Sequence, residues 1–290
     1  MPAARPRRSL LYMPASNPRA MEKAMGLACD GVILDLEDAV APDAKADARA
    51  AAVEAVRAGG FGRREVIVRC NGLDTPWGEA DLAAIAAAGP DAILVPKVGG
   101  PADIAAYNAA IGAAPASTRL WAMIETCSAV FELRAIAAAA RTSRLAAFVM
   151  GLNDLAKEMG GRQTPDRAPH QPVLTLAVAA ARTEGLLAFD SVCNDLDDPA
   201  ALEAQCRQGV DFGFDGKSLI HPGQIEICNR LFSPDPADVA FARAVIAAFA
   251  DPANAGRGAL RVDGRLAERL HLAQAERLVA VAEAIEAAEG

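Results

Sequence analysis

Short apolar runs recur along the chain at near-regular intervals: Ser9 to Met13, Gly31 to Leu36, Glu65 to Arg69, Ala92 to Val95, Leu120 to Ile124, Leu145 to Met150, Leu186 to Phe189 and Val210 to Phe214. Runs of this length, bounded by turn residues, read as buried strands. The segments between them have helical character: Arg19 to Cys29, Ala44 to Ala58, Trp77 to Ala88, Ala102 to Ile111, Thr175 to Glu184 and Pro199 to Gln208. Between the fifth and sixth runs, Val130, Leu133, Ile136 and Ala137 fall at three-and-four spacing, the period of a helix with one apolar face. A strand, helix, strand unit joins parallel neighbours. Eight such units predict an α/β protein, a closed (β/α)8 TIM barrel over residues 1–232. The rival open sheet would show a Gly-x-Gly-x-x-Gly turn after its first strand, and none is present.

Ser233-Pro234-Asp235-Pro236 breaks the rhythm. Residues 233–290 are expected to form a C-terminal helical extension, with helices from Ala237 to Ala250 and from Leu266 to Ala288 around a loop at Asp251 to Gly258. The barrel is closed by then, so the extension should serve as a lid or as a contact with a partner subunit. The stretch Gly160 to Pro172, rich in Gly, Pro, Arg and Gln, reads as a long loop facing substrate.

Composition narrows the classes. Hydrophobic residues at 52% and charged residues at 23% describe an ordinary globule with a full core. The net charge of −8 argues against a nucleic-acid partner. No apolar run reaches the ~20 residues of a membrane span, and Pro14, Asn17 and Pro18 break the run that follows the basic N-terminus, unlike a signal peptide. Six cysteines without Cys-x-x-Cys spacing suggest free thiols in a reducing, cytoplasmic setting. Cys70 and Cys127 lie near strand ends, where a nucleophile is conceivable beside the plainer reading of small buried hydrophobes.

The chemistry gathers at strand ends. The fifth run stops at Glu125 and the sixth at Gly151-Leu152-Asn153-Asp154, so parallel neighbours bring two carboxylates to one end of the barrel. A hard divalent cation is the simplest occupant between them. The second run carries Asp35, Glu37 and Asp38, as catalytic acids or as helix caps and partners of Lys45 and Arg49. Arg69 ends the third run, where its planar fork could grip a carboxylate, or form a salt bridge to Glu37 or Asp38. Lys97 after the fourth is a Schiff-base candidate, although the paired acids favour a metal route. His221 lies where ligands bind, or orders a helix start beside Pro222.

Taken together, Arg8 to Pro14, Leu34 to Pro42, Val68 to Pro76, Pro96-Lys97-Val98, Ile124-Glu125-Thr126, Gly151 to Asp154 and Gly216 to Pro222 resemble the citrate lyase β-subunit and malyl-CoA lyase family over nearly the whole chain. The resemblance implies Mg2+ held by Glu125 and Asp154, Arg69 at the keto acid or developing enolate, and Tyr12, Lys23, Asn153, Ile220 and His221 along the acyl-CoA site. It also implies an acid from a neighbouring subunit, falling here on Glu268, in a homotrimer or hexamer with shared sites. Three departures stand out: Asn17 replaces an arginine that would contact CoA, Glu268 replaces an aspartate, and Asp190-Ser191-Val192 replaces Asp-Gly-Pro. The expected reaction is reversible cleavage of a malyl-, citramalyl- or citryl-CoA-like 3-hydroxyacyl-CoA to an acyl-CoA and a 2-oxo acid. A CoA-independent class II 2-oxo acid aldolase and a non-catalytic subunit of a lyase complex are the alternatives.

Overall fold

A computed structural model describes residues 5–289, so the first four residues of the basic N-terminal stretch lie outside the described residues. Among the described residues, eight parallel strands close into a barrel in sequence order: β1 (Ser9–Pro14), β2 (Gly31–Asp35), β3 (Glu65–Arg69), β4 (Ala92–Val95), β5 (Arg119–Ile124), β6 (Leu145–Met150), β7 (Leu187–Asp190) and β8 (Gly216–Leu219). The helices that follow them are α1 (Pro18–Ala24), α2 (Lys45–Ala58), α3 (Gly78–Ala88), α4 (Pro101–Ala110), α5 (Cys127–Ala138), the pair α6 (Leu152–Met159) and α7 (Gln171–Thr183), α8 (Pro199–Phe212) and α9 (Ile225–Phe232). This is the (β/α)8 architecture expected from the pattern. Inside the barrel, Leu10, Ile33, Ile67, Leu94, Trp121 and Phe189 form one buried cluster. Trp121 and Phe189 stack with ring centroids 4.9 Å apart, filling the interior where a pore would otherwise leave voids. No helix among the described residues is long and apolar enough to cross a membrane.

The eighth strand is not the apolar run Val210 to Phe214. Val210 to Phe212 finish α8, and Gly213, at φ 88°, turns the chain in a left-handed cap. The strand is Gly216-Lys217-Ser218-Leu219, whose polar residues are all buried. A Cβ on Gly216 would lie 1.9 Å from the Arg7 carbonyl oxygen, so the close approach of β8 to the barrel seam demands glycine. Lys217 is 0% exposed because Asp190 of β7 receives its ammonium at 3.0 Å, and Arg167 grips the same carboxylate at 2.7 and 2.8 Å.

Contacts divide the chain into two compact units, Arg7–Arg230 and a second that runs from Leu231 onward. In the second, α10 (Pro236–Ala250) and α11 (Arg269–Glu289) pack with an antiparallel hairpin of β9 (Ala259–Val262) and β10 (Arg265–Glu268). The expected helix start at Leu266 is therefore a strand. Asp263 and Gly264 both take positive φ, 47° and 82°, the geometry of a tight two-residue hairpin turn. Leu260, Val262 and Ala267 point into a core with Val245 and Val279, an alternation too short to outweigh the helical pattern downstream.

Candidate active site

The two acids that end the fifth and sixth strands do converge. Glu125 follows β5 and is 1% exposed; Asp154 is the third residue of α6, one turn beyond β6. Between them lies the Lys97 ammonium, 2.7 Å from Asp154 Oδ1 and 3.4 Å from Glu125 Oε1. The Lys97 backbone N–H donates to Glu125 Oε1 at 2.9 Å, whereas Glu125 Oε2 is buried without a hydrogen-bond partner. Burial pushes the Glu125 carboxyl up, partly offset by the Lys97 charge and N–H. Burial draws the Lys97 ammonium down, but its hydrogen bond to Asp154 and the two nearby carboxylates outweigh this and hold it protonated. That removes the free amine a Schiff base requires. Gly151 makes the junction possible: a Cβ there would lie 2.5 Å from Glu125 Oε2 and 2.6 Å from Glu125 Cβ.

Arg69 is engaged more fully than the sequence suggested. Its Nε and Nη2 donate to the two oxygens of Asp35 at 2.7 and 2.6 Å, a bidentate pair almost wholly buried. Nη1 lies 2.7 Å from Glu37 and 3.3 Å from Asp38, and the guanidinium sits over the Tyr12 ring, 4.9 Å from its centroid. Asp35 is the partner that the sequence does not single out, since it stands there only as one of three neighbouring acids. Its Oδ1 and Oδ2 also accept from the N–H groups of Glu37 and Ala39, fixing the loop that carries those acids. Burial, together with the charges of Glu125, Asp38 and Asp35, pushes the Glu37 carboxyl up to about 8 despite Arg69. Lys45 pairs with none of these carboxylates; it donates to the carbonyls of Leu36 and Glu37 and to Asn71. Arg49 reaches Asp81 instead.

Asp35, Arg69, Glu125 and Asp154 line one cavity of about 360 Å³ at the carboxyl ends of the strands, with Tyr12, Asp38, Met123, Asn153 and Ile220 in its wall. The remaining sequence candidates have plainer placements. Asn17 caps α1, its side chain accepting from Ala20 N–H at 3.1 Å, and Lys23 is exposed on the same helix. His221 Nδ1 accepts from Gly223 N–H at 3.0 Å, ordering the turn after β8. Asn153 belongs to an amide cluster with Gln163 and Asn194, joined at 2.6 to 3.3 Å, and this ties the long α6–α7 loop to the rim. Glu268 is the last residue of β10, half-buried in the C-terminal unit, and its N–H donates to His271 Nδ1. Burial raises the Cys70 thiol well above its ordinary range, and burial with Glu158 raises Cys127, so neither is an activated nucleophile.

A closed barrel with paired carboxylates, a guanidinium and a cavity at its carboxyl-end mouth is the arrangement of an enzyme barrel. Comparison with known proteins makes this specific. Residues 8–222 match the family model described as HpcH/HpaI aldolase/citrate lyase, and the chain belongs to that family. It is 49% identical over 284 residues, 98% of this chain and 97% of the relative, to a (3S)-malyl-CoA thioesterase of Cereibacter sphaeroides. It is 36% identical over 312 residues, 99% and 98% of the two chains, to an L-malyl-CoA/beta-methylmalyl-CoA lyase of the same organism. Among solved structures, protein CitE of Mycobacterium tuberculosis in complex with magnesium, acetoacetate and coenzyme A matches with a TM-score of 0.76 at 29% identity, over 97% of this chain and 99% of that one.

Proposed function

We propose that this protein is a Mg2+-dependent enzyme acting on the CoA thioester of a hydroxydicarboxylic acid, with (3S)-malyl-CoA as the type substrate and hydrolysis to malate and CoA as its reaction. The observation that carries the reading is end-to-end similarity to a malyl-CoA thioesterase, with Glu125, Asp154 and Arg69 gathered at one cavity. The residues fit a hard cation: two carboxylates gather around one point, now held by the Lys97 ammonium at 3.4 and 2.7 Å, and one buried Glu125 oxygen has no hydrogen-bond partner. Bound there, Mg2+ supplies a Lewis acid for a hydroxycarboxylate or 2-oxo group.

The chain's own residues would do the rest. Glu125 and Asp154 hold the cation. Arg69, kept in place by Asp35, presents Nη1 to the oxygen that gains negative charge at the thioester carbonyl. Tyr12 stacks beneath that guanidinium and closes one wall against water. Asn153, Ile220, His221, Lys23 and Asn17 lie along the path we assign to the acyl-CoA arm. Glu268 from a neighbouring copy would accept the proton of the attacking water. In that step the water oxygen bonds to the thioester carbon, the carbon–sulfur bond breaks, and CoA leaves with the proton.

A second reading is cleavage of the C2–C3 bond to acetyl-CoA and glyoxylate, favoured by the full-length relation to a malyl-CoA lyase. The purified chain, given Mg2+ and (3S)-malyl-CoA, decides between them when malate, glyoxylate and free thiol are each measured. Equal malate and thiol support hydrolysis; glyoxylate with acetyl-CoA supports cleavage; no turnover of malyl-, citramalyl-, methylmalyl- or citryl-CoA overturns both.

A further inference from the structure

Among the described residues, the Lys97 ammonium stands between the proposed metal ligands, and neither reaction above gives it a role. Its backbone stands at φ 54°, a left-handed conformation that a residue with a Cβ adopts at a cost. The segment is held there from several sides. Tyr107 hydroxyl donates to the Pro96 carbonyl at 3.2 Å, Thr126 hydroxyl donates to the Val98 carbonyl at 3.0 Å, and Lys97 N–H is fixed on Glu125. The clamped turn aims the side chain at the two acids. Yet the lysine side chain is 37% exposed and Asp154 32% exposed, so the ammonium lies on the wet side of the pair and can leave into water.

We infer that Lys97 is a positioning residue of the metal centre: an internal cation that shares Glu125 and Asp154 with the divalent ion and sets that ion's affinity. The inference rests on the assignment of those two acids to Mg2+. Two carboxylates balance one divalent ion in charge; an ammonium held within hydrogen-bond reach of both leaves an excess positive charge and repels it. Metal entry therefore displaces the Lys97 head group outward. Without the ion, the same ammonium keeps two facing carboxylates from repelling each other and holds Asp154 toward the cavity. The arrangement trades tight metal binding for a site that stays formed.

The test is Mg2+ titration by calorimetry on the full chain, with melting temperatures measured in chelator and in saturating Mg2+. Lys97→Met keeps the side-chain stem and removes the charge. It should bind Mg2+ about tenfold more tightly, equivalent to about 1.4 kcal/mol, melt below wild type in chelator, and gain more from Mg2+. Lys97→Arg, which retains the charge, should stay near wild type in affinity. Lys97→Gly removes both the charge and the backbone strain, and should show the same tightening as Lys97→Met; it also serves should Lys97→Met fail to fold. Unchanged or weaker Mg2+ affinity in the uncharged variants, with normal binding by wild type, overturns the inference alone. Failure of the wild-type chain to bind Mg2+ overturns the metal assignment and this inference with it.

Discussion

Arg69 commits its planar fork to Asp35 and leaves a single nitrogen for the cavity, so its charge and its orientation come from different partners. A lysine can supply the charge but not two parallel bonds. Arg69→Lys is therefore expected to lose kcat/KM almost as completely as Arg69→Ala, on the order of a hundredfold or more, as for loss of a donor that stabilises developing charge. Steady-state kinetics on both variants checks this, and recovery of most activity by lysine would reduce Arg69 to a point charge. Asp35→Ala should be as inactive, and it should also cost about 3–5 kcal/mol of stability because a buried guanidinium loses its bidentate partner. Urea unfolding of wild type and variant measures that difference. Glu125 and Asp154 were legible from their positions at strand ends; Asp35 was not, because hydrophobic pattern alone does not tell which of three adjacent acids turns inward.

Two element junctions carry the site. Between β6 and α6 the chain passes Glu125 so closely that Gly151 has no room for a methyl group. Gly151→Ala should push the carboxylate aside and weaken Mg2+ binding by about 10–100-fold, the range seen when the supports of a metal ligand are lost; calorimetric titration reads it. Between β7 and β8, the buried Asp190 carboxylate serves both Lys217 and Arg167. Burial alone would raise the Asp190 carboxyl, but the two cations reverse this and hold it below its usual range. A carboxyl depressed in the folded state stabilises fully above its unfolded value, about 3.9, and that contribution is lost as pH falls through the lower folded value. Asp190→Asn should thus cost about 3–5 kcal/mol near neutral pH, and its melting-temperature gap to wild type should narrow below about pH 3.9. A gap that stays constant into acid would mean that Asp190 contributes packing rather than charge.

At the scale of the whole molecule, the C-terminal unit carries Glu268 at the end of its hairpin. In that unit Leu266 of β10 is 66% exposed and Leu270 of α11 is 56% exposed, on either side in sequence of the half-buried Glu268. Two large apolar side chains flanking an acid suit a surface that a second copy of the chain covers. If Glu268 completes a neighbour's site, inactive Glu268→Gln and inactive Arg69→Ala chains should regain part of the wild-type rate when mixed and allowed to exchange subunits. No recovery after exchange is confirmed by native mass measurement would leave Glu268 as a carboxylate of the hairpin. The homotrimer or hexamer expected for this chain is measured in the same experiment.

Spacing of apolar runs was enough to establish the barrel, because each parallel strand is buried on both faces and must be continuously apolar. It was also enough to bring Glu125 and Asp154 to one end, since parallel strands share a direction. The eighth strand escaped that logic: Lys217 is buried through an ion pair with a residue 27 positions away, and no local pattern encodes such a partner. The hairpin escaped for the opposite reason, being signalled only by Asp263-Gly264 beside a much longer helix. Tertiary structure alone decided that Lys97 stands between the two acids and that Asp35 owns the fork of Arg69. Sequence determines which residues arrive at the mouth of the barrel; which charge then faces which is fixed by backbone turns such as Lys97 and Gly151, whose geometry exists only once the barrel has closed.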